Sequence, residues 1–586
     1  MRLAVPASRR VRIASMAVCL ALGASTSAAQ PPRRNDLKPL PAEEWNRATA
    51  AHLLERAGFG ASPSEVDRWT SMGLRRAVAR LVRFRGSPKD DLPPFDHSGI
   101  HDPGIEPFPP SRPAATRLAA ERGHAIGVSV KPTGNRRLQP VVNRFFYWLR
   151  ASYLETDRLA YWWADRMLRS SRPLQEKMAL FWHGHFSVNE SKVRDYRKHL
   201  QLLRTFHRHG LGQFRELVVG VAQSPAMLAF LDAGVNTKGS PNENFAREIM
   251  ELFVLGVGHY REEDIREAAR AFTGWNYKDL TFVLNAEHHD SGSKTILGRT
   301  GAMDGVQVID LLLEQPAAAR FLVTKIYSEF VRAHPSPEVI EALAATFRES
   351  GYDIARLMET LFLSRDFYAP ESMGTHIKGP VELAVSTYRK LELDRVPGHP
   401  DFNASTTVLG QRLFHPPTVA GWDGGRAWIT PGLLIGRANF AYELLYPDID
   451  FVPHDRKPPP RYAHISRVGQ RLADGADISA ATQASTDGGE AAMSNKMVDA
   501  DEDFNTRYGS YRGWQLAIQK VKPIPRETAA LDLAGLVDRA KLSTADEVVD
   551  HFLNRMLAVP ATTAQRRQLT TSLVNEMGTD RVADAR

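Results

Sequence analysis

Apolar residues recur at intervals of three and four along most of this sequence, and that spacing constrains the fold more than any other feature. Such recurrence places one stripe of side chains on one face of a helix, whereas strands alternate at every second residue. Segments with this spacing are 43–57, 140–153, 173–186, 196–207, 242–255, 262–273, 316–331, 353–363 and 378–391. The pattern predicts a mainly α fold, built as one large multi-helix domain.

Capping residues mark where several of these helices begin and end. Ser62 precedes Pro63, and Glu65 follows at the third helical position, which is the spacing of a capping box. Ser336 stands before a proline in the same way, and Gly351 is typical of the residue just beyond a helix. A helix is therefore predicted after each of the two serines.

One segment departs from the helical pattern. Residues 281–285 and 294–297 are two β-prone runs, separated by a polar stretch that contains Gly292. We therefore predict a small β-hairpin on the helical body, with long loops between some of the helices.

The first thirty residues have the composition of an export signal. Four arginines and no acidic residue precede an apolar run at 13–23, and small residues suited to cleavage follow at 27–29. The paired arginines leave both the general secretory and the twin-arginine routes open. Because no later apolar run reaches about 18 residues, no transmembrane segment is expected after signal removal. The prediction is an exported protein, periplasmic or secreted.

Cysteine and charge exclude several classes of function. The one cysteine, Cys19, lies within the predicted signal, so the rest of the chain has no sulfur ligand for a disulfide, an iron–sulfur cluster or a nucleophile. The net charge of +8 includes the four signal arginines, which leaves +4 on the remainder. That remainder has no concentrated basic run, so no nucleic-acid partner is predicted.

Composition divides the chain into four predicted parts. Residues 1–29 are the signal peptide, and 36–472 form the helical core. Residues 473–510 contain few large apolar side chains, which favours a flexible polar linker or insertion. Helical spacing returns in 511–586, and these C-terminal helices are expected to pack on the core.

Two histidines in the stretch "FWHGHF" are the first candidate ligands. In a regular helix His185 shares the apolar stripe of Trp182, and His183 lies about 160° away around the axis. Both imidazoles can bind one metal ion only if the helix ends at Gly184. The alternative, one core histidine and one surface histidine, stays open.

A second candidate is the segment "NENFAREIMELFVLG" at 242–256. Asn244, Arg247, Glu248 and Glu251 share one narrow polar stripe if the segment is a regular helix. The stripe is either a solvated surface with ion pairs or the wall of a pocket. In a pocket, each buried charge needs an opposite charge or a cation beside it.

Polar and aromatic loops supply the remaining candidates. His289 and Asp290 lie in the predicted hairpin turn and offer nitrogen and oxygen ligands, although turns also carry such residues merely because they are polar. Residues 415–428 form a loop rich in proline and glycine with two tryptophans. This loop suits a pocket wall, a platform for stacking sugars, or plain packing.

Several blocks of this sequence together resemble a known family. In chain order they are "AHLLERAGFGAS", "MALFWHGHFS", "NENFAREIMELFVLG", "YREEDIREAARAFTGW", "HHDSGSKTILG", "IKGPVEL" and "PPTVAGWDGGRAWITPGLLIGR". Over about residues 45–445 the chain resembles the bacterial family catalogued as domain of unknown function 1800. The resemblance implies an exported, mainly helical protein without an assigned biochemical role.

Two functional hypotheses follow from these candidates. In the first, the chain is a metal-dependent enzyme of the hydrolase type, with a divalent metal as its cofactor. Its predicted catalytic residues are His185, Arg247, Glu248 and Glu251, and its predicted metal ligands are His183, His185, Glu248, His289 and Asp290. In the second, the protein is a non-catalytic scaffold that binds a polysaccharide or another protein of the cell envelope. The sequence leaves both hypotheses open.

Overall fold

The computed structural model describes residues 34–85, 92–101, 139–453, 455–458, 511 and 513–584. These residues form a mainly helical structure, as the apolar spacing predicts. The predicted signal peptide and the predicted linker at 473–510 lie outside the described residues. Within the described part of the chain, no helix combines the length and the apolar character that a membrane span requires.

Side-chain caps fix the starts of the first two helices. Asn46 accepts hydrogen bonds from the first turn of α1, and Ser62 with Glu65 forms the predicted capping box of α2. These caps satisfy N–H groups that have no acceptor within the helix itself. The helices of this region are α1 (Arg47–Arg56), α2 (Pro63–Met72) and α3 (Leu74–Arg83).

The central helices surround the histidine stretch. They are α4 (Gln139–Arg169), α5 (Pro173–His185), α6 (Glu190–Val193), α7 (Tyr196–His209), α8 (Phe214–Ala222) and α9 (Pro225–Phe230). Helix α5 packs against both α4 and α7. Trp182 is fully buried between them, and its indole N–H donates to the Gly210 carbonyl at 2.9 Å. The helix that carries both histidines is therefore an interior element.

The acidic segment is an α-helix that continues as a π-helix. Helix α10 (Glu243–Glu248) leads directly into the π-helix Ile249–Val254, and α11 (Glu262–Ala271) follows. In the π turn the Leu255 N–H donates to the Met250 carbonyl, five residues back, at 2.8 Å. The predicted polar stripe requires a regular α-helix, and the segment is α-helical only as far as Glu248.

The β-prone runs form strands, but the predicted pairing between them is wrong. Strand β1 (Trp275–Lys278) pairs with β2 (Thr281–Leu284), and β3 (Lys294–Ile296) pairs with β4 (Arg299–Gly301), so there are two antiparallel hairpins. Each hairpin closes over a two-residue turn. A tight local turn brings neighbouring segments together more readily than the nine-residue connection between β2 and β3 does.

The later helices complete the body and carry the other predicted caps. They are α12 (Gly305–Glu314), α13 (Pro316–Phe330), α14 (Pro337–Glu349), α15 (Ile354–Leu363), α16 (Pro380–Lys390), α17 (Phe402–Val408) and α18 (Pro431–Leu445). Ser336 caps α14, and Gly351 follows that helix with a φ of 69°. Both positions confirm the predictions, since glycine adopts the left-handed conformation with little strain.

Three further helices lie near the C-terminus: α19 (Leu533–Arg539), α20 (Ala545–Met556) and α21 (Thr563–Met577). Helix α20 packs against α16, and the Arg555 guanidinium donates to the Lys390 carbonyl at 2.7 Å. One continuous cluster of buried apolar side chains extends from Leu40 to Ile524.

Candidate functional site

The two histidines of "FWHGHF" both lie in regular helix. Helix α5 does not end at Gly184 but continues to His185. The condition under which both imidazoles could bind one ion is therefore not met, because their side chains leave the helix in different directions. Both residues are buried, with His183 only 2% and His185 only 5% exposed.

His183 is a neutral hydrogen-bond acceptor inside an aromatic environment. Its Nε2 accepts the backbone N–H of Phe414 at 3.0 Å, and the rings of Trp163 and Trp422 lie beside it. Burial, with a smaller contribution from His199, lowers the pKa of His183 to about 3. An imidazole that accepts a backbone N–H in this way joins α5 to the loop around Phe414.

The low pKa of His183 makes its contribution to stability dependent on pH. The folded pKa lies below the unfolded value of 6.5, so this contribution is complete above about pH 6.5 and is lost as the pH falls toward 3. Between pH 7 and pH 5 the loss is about 2 kcal/mol. We expect the free energy of unfolding of His183→Gln, measured in urea, to fall by about 2 kcal/mol less than that of the wild type over this interval. Equal losses of stability in the wild type and in His183→Gln would show that His183 is already protonated in the folded protein at pH 5.

His185 uses both ring nitrogens within the protein. Its Nε2–H donates to the Phe253 carbonyl at 3.0 Å, and its Nδ1 accepts from the Lys325 ammonium at 3.3 Å. Burial and then the charge of Lys325 hold the pKa of His185 well below its usual range. The acidic segment does contact this histidine, although through a backbone carbonyl and not through a carboxylate.

The acidic segment directs its charged side chains to other partners. Arg247 pairs with Glu243 at 3.1 Å and with Glu262 at 2.8 Å, at the surface. Glu251 accepts a hydrogen bond from the Tyr260 hydroxyl at 2.5 Å. Partial burial and the neighbouring Glu251 raise the pKa of Glu248. The surroundings of Glu248 therefore oppose its ionisation.

The side chains of the turn between the two hairpins bind to residues close to them in the fold. His289 Nδ1 donates to the Thr273 carbonyl at 2.9 Å, and Asp290 forms an ion pair with Arg270 at 2.8 Å. These contacts hold the turn against the end of α11. The roles predicted for His183, His185, Arg247, Glu248, Glu251, His289 and Asp290 in binding and catalysis stay predictions.

A different set of residues has the geometry of a metal-binding group. The ligand atoms of Glu329, His376 and Glu382 all lie within 4.8 Å of one another, and within the described part of the chain no other His, Asp or Glu residues form such a group. Glu329 lies near the end of α13, Glu382 in the first turn of α16, and His376 in the loop that leads to α16. We call these three residues the Glu329 triad.

Glu382 is the most deeply buried member of the triad. Its Oε2 lies 2.7 Å from His376 Nε2, and its Oε1 lies 2.5 Å from the Lys177 ammonium. Burial alone would raise the pKa of Glu382, but His376 and Lys177 hold it well below its usual range. The carboxylate is therefore ionised throughout the neutral range, as a metal ligand must be.

Arg56 adds an unsatisfied donor beside the triad. Its Nε donates to the Phe330 carbonyl at 3.1 Å, and its Nη2 donates to the Glu329 carbonyl. Its Nη1 is buried and meets no acceptor among the described residues, although the side chain is only 3% exposed. A buried guanidinium N–H without an acceptor is costly, which favours a bound water or anion at this point.

Another carboxylate, outside the triad, is held by two lysines. Glu55 pairs with Lys378 and, at 3.0 Å, with Lys390. Burial opposes the ionisation of Glu55, yet the two ammonium groups lower its pKa to about 2. Lys378 also donates to the Ser386 hydroxyl at 2.5 Å.

Together these residues form one group of buried and partly buried charges, which we call the charge cluster. Its members are Glu55, Arg56, Lys177, Glu329, His376, Lys378, Glu382 and Lys390. It contains four permanent cations and three carboxylates, so positive charge is in excess even with a neutral His376. Each buried ion costs several kcal/mol unless it is paired, and such a cost is common at functional sites.

Sequence reasoning did not find this cluster, although it quoted most of the segments that build it. The block "AHLLERAGFGAS" contains Glu55 and Arg56, and "IKGPVEL" contains Lys378 and Glu382. Lys177 lies three residues after Leu174 on the apolar side of α5. An ionisable residue on the apolar face of a helix, such as Lys177, is the sequence signal that could have indicated the cluster.

A family model with the description "Protein of unknown function (DUF1800)" matches residues 52–585 of the chain. The comparisons with curated proteins and with solved structures give no match. The matched range includes every member of the charge cluster.

Proposed function

Since the chain belongs to the DUF1800 family, whose function is unknown, its role must be inferred from its own residues, and we propose that it is a metal-dependent enzyme of the hydrolase type. The proposed ligands of a divalent metal are Glu329, His376 and Glu382. The observation that carries the proposal is the mutual approach of their ligand atoms to within 4.8 Å.

The donor set fits a divalent metal of the first transition row. Two carboxylates and one imidazole are oxygen and nitrogen ligands of the kind that zinc, manganese and iron accept. Three protein ligands also leave coordination positions for water and substrate, which distinguishes a catalytic site from a closed structural one. A metal held there would lower the pKa of a bound water and polarise a substrate oxygen.

Lys177 has the position of an outer partner that orients a ligand. It binds Glu382 Oε1, so Oε2 is directed toward His376 and remains available to a cation. Hydrogen bonds of this kind fix the orientation of ligating carboxylates. A metal held by both residues would take the place of the hydrogen bond between His376 and Glu382.

The excess of positive charge indicates the class of substrate. A divalent metal held by the two triad carboxylates would offset their negative charge, so the cations of the cluster, among them Arg56 and Lys177, would outnumber the remaining carboxylate, Glu55. These cations favour a substrate with a carboxylate or phosphate group, and Arg56 Nη1 is the donor without an acceptor among the described residues. We therefore propose an anionic substrate, met outside the cytoplasm if the predicted signal directs export to the periplasm or the medium.

Metal titration tests the proposal. Glu329 is the best position to change, because its carboxylate forms no hydrogen bond or ion pair with any described residue and Glu329→Gln should leave the fold intact. We expect purified wild-type protein to bind about one Mn²⁺ or Zn²⁺ per chain in calorimetry, and Glu329→Gln to bind at least about 100-fold more weakly.

Glu248→Gln is the matched control, since Glu248 is a half-buried helical glutamate and a ligand of the site predicted from the sequence. It should bind metal as the wild type does. If Glu248→Gln loses the metal and Glu329→Gln keeps it, the ligands are those predicted from the sequence. If the wild type binds no metal, both the proposed triad and the site predicted from the sequence are contradicted.

A second candidate function is favoured by the surface around α18. Large apolar side chains are exposed there, among them Ile435 at 64% and Ile449 at 69%. Several exposed apolar side chains within one short stretch of the chain are typical of a binding surface. A scaffold that binds a polysaccharide or an envelope protein would leave the charge cluster as a packing network, and Glu329→Gln would then change neither metal content nor any activity.

A further inference from the structure

A cavity of about 380 Å³ is lined by residues of α1, α2 and α3, of the junction between α4 and α5, and of the end of α16. Cavities of this size accept small-molecule ligands. No member of the Glu329 triad lines it, so it is a separate candidate site. We call it the arginine cavity, after the four arginines among its lining residues: Arg68, Arg80, Arg169 and Arg389.

The charges that line the arginine cavity are unequal, since its two lining carboxylates are Glu65 and Glu392. Glu65 Oε1 accepts from the Arg389 guanidinium at 3.1 Å, and its Oε2 accepts the Ser62 N–H at 3.0 Å. Both oxygens of Glu65 are therefore engaged. The described lining residues carry two more positive than negative charges, which attracts an anion.

Charged partners outside the cavity do not remove this excess. Arg169 pairs with Asp165 at 2.9 Å, and Glu392 pairs with Arg555 at 3.1 Å. The first contact supplies a negative charge and the second a positive one, so the two offset each other.

Arg389 also satisfies the carbonyl groups of the cavity wall. Its Nε donates to the Gly60 carbonyl at 3.1 Å, and its Nη1 donates to the Leu168 carbonyl at 2.8 Å. A carbonyl oxygen that already accepts from a guanidinium opposes an anion less than a bare one does. The wall therefore presents fixed positive charge to the cavity.

Gly60 brings part of the charge cluster next to the same wall. A Cβ added at Gly60 would lie 2.9 Å from Glu55 Oε2 and 3.0 Å from Lys390 Cε. Glu55 is held by both Lys378 and Lys390, so this part of the charge cluster has one positive charge in excess. It adds to the positive potential of the arginine cavity.

The cavity also offers a hydroxyl donor and apolar surface. Ser170 Oγ accepts the Arg172 N–H at 3.1 Å, which leaves the O–H of Ser170 to donate to a ligand. The Arg80 guanidinium lies over the Trp69 ring, 5.5 Å from its centroid, and such stacking restricts the orientation of the guanidinium. Leu54 and Leu168 are buried apolar residues of the lining.

We propose that the arginine cavity binds a small organic phosphate monoester. Such a monoester is largely a dianion at neutral pH, because the second pKa of its phosphate group is about 6. Its two negative charges match the excess of two positive charges on the lining. Guanidinium groups bind phosphate oxygens in a bidentate manner, and the leucines contact the apolar part of the ligand.

Calorimetry with phenyl phosphate tests the proposal on metal-free wild-type protein at pH 7.5. We expect saturable binding of one phenyl phosphate per chain. Inorganic phosphate, which lacks the ring, should bind at least about 10-fold more weakly. Benzoate, which has the ring and one negative charge, should also bind at least about 10-fold more weakly. Absence of saturable binding, or equal affinity for the three anions, would overturn the proposal.

Arginine variants show whether the ligand is in the arginine cavity. Arg68 is exposed, so Arg68→Gln should keep the fold and weaken phenyl phosphate binding by about 10-fold, and Arg68→Gln/Arg80→Gln should weaken it further. Arg75→Gln/Arg76→Gln is the matched control, because it removes two exposed charges from α3 that do not line the cavity. We expect this control to change the affinity by less than about 2-fold.

Two results with these variants would contradict the assignment. If both double variants weaken binding equally, the anion responds to the overall charge of the protein and not to this cavity. Glu329→Gln should bind phenyl phosphate as the wild type does. If Glu329→Gln loses the ligand, the ligand lies at the triad, whereas a failure of metal binding there leaves the arginine cavity unaffected.

Discussion

Replacing Glu382 by glutamine is expected to lower the free energy of unfolding by about 3–5 kcal/mol, which is the cost of leaving one partner of a buried ion pair uncompensated. Lys177 is only 3% exposed and has its ion pair with Glu382. Urea denaturation at pH 7 with a chelator present measures the effect without a contribution from bound metal. A loss below about 1 kcal/mol would mean that Lys177 finds water or another acceptor.

The double variant Lys177→Met/Glu382→Leu distinguishes the effect of the two charges on stability from the effect of the volume that their side chains fill. Both charges are then absent, and apolar side chains of comparable size replace them. We expect this variant to recover most of the stability that Glu382→Gln loses, since paired apolar replacements of buried ion pairs are often neutral or stabilising. If the double variant were as unstable as the single one, packing around residue 382 would account for the loss.

Gly421→Ala is expected to destabilise the protein by more than about 3 kcal/mol, because strain and a steric clash act together. Gly421 has a φ of 90°, which a side chain disfavours. An added Cβ would also overlap the Gly184 carbonyl oxygen and the Ser187 hydroxyl. The backbone of α5 would have to move, and it carries both histidines. Thermal and urea unfolding measure the effect.

Gly425→Ala provides the matched control in the same loop. Gly425 also has a positive φ, of 60°, but an added Cβ there meets no atom within 4 Å. We expect a cost of only about 1 kcal/mol, from backbone conformation alone. Similar losses in the two variants would show that the loop does not dock against α5 as closely as described.

Much of the helical architecture could be predicted from local sequence. The periodicity gave α5 within one residue of its observed end, and the serine caps gave the starts of α2 and α14. These features depend on residues within a turn or two of each other. The two hairpins also close locally, over residues 279–280 and 297–298, but neither turn carries the Asn-Gly or Asp-Gly signal that predicts one. The π-helix could not be found in this way, because packing against other elements selects its hydrogen-bond partners.

The candidate site shows the limit of local reasoning more clearly. The sequence pointed to a metal site of histidines and acids, and the structure has a group of that composition formed by other residues. Glu329, His376 and Glu382 belong to a helix, a loop and a second helix, and Arg56 reaches them from more than 270 positions away. No spacing rule relates such residues, because tertiary packing alone brings them together.

The most direct test of the metal site is anomalous diffraction from crystals of the wild-type protein grown with Mn²⁺ or Zn²⁺. The account predicts one strong peak within about 2.0–2.3 Å of side-chain atoms of Glu329, His376 and Glu382. A map without a peak at the triad, or with its peak beside His183, His185 or Glu248, would contradict it.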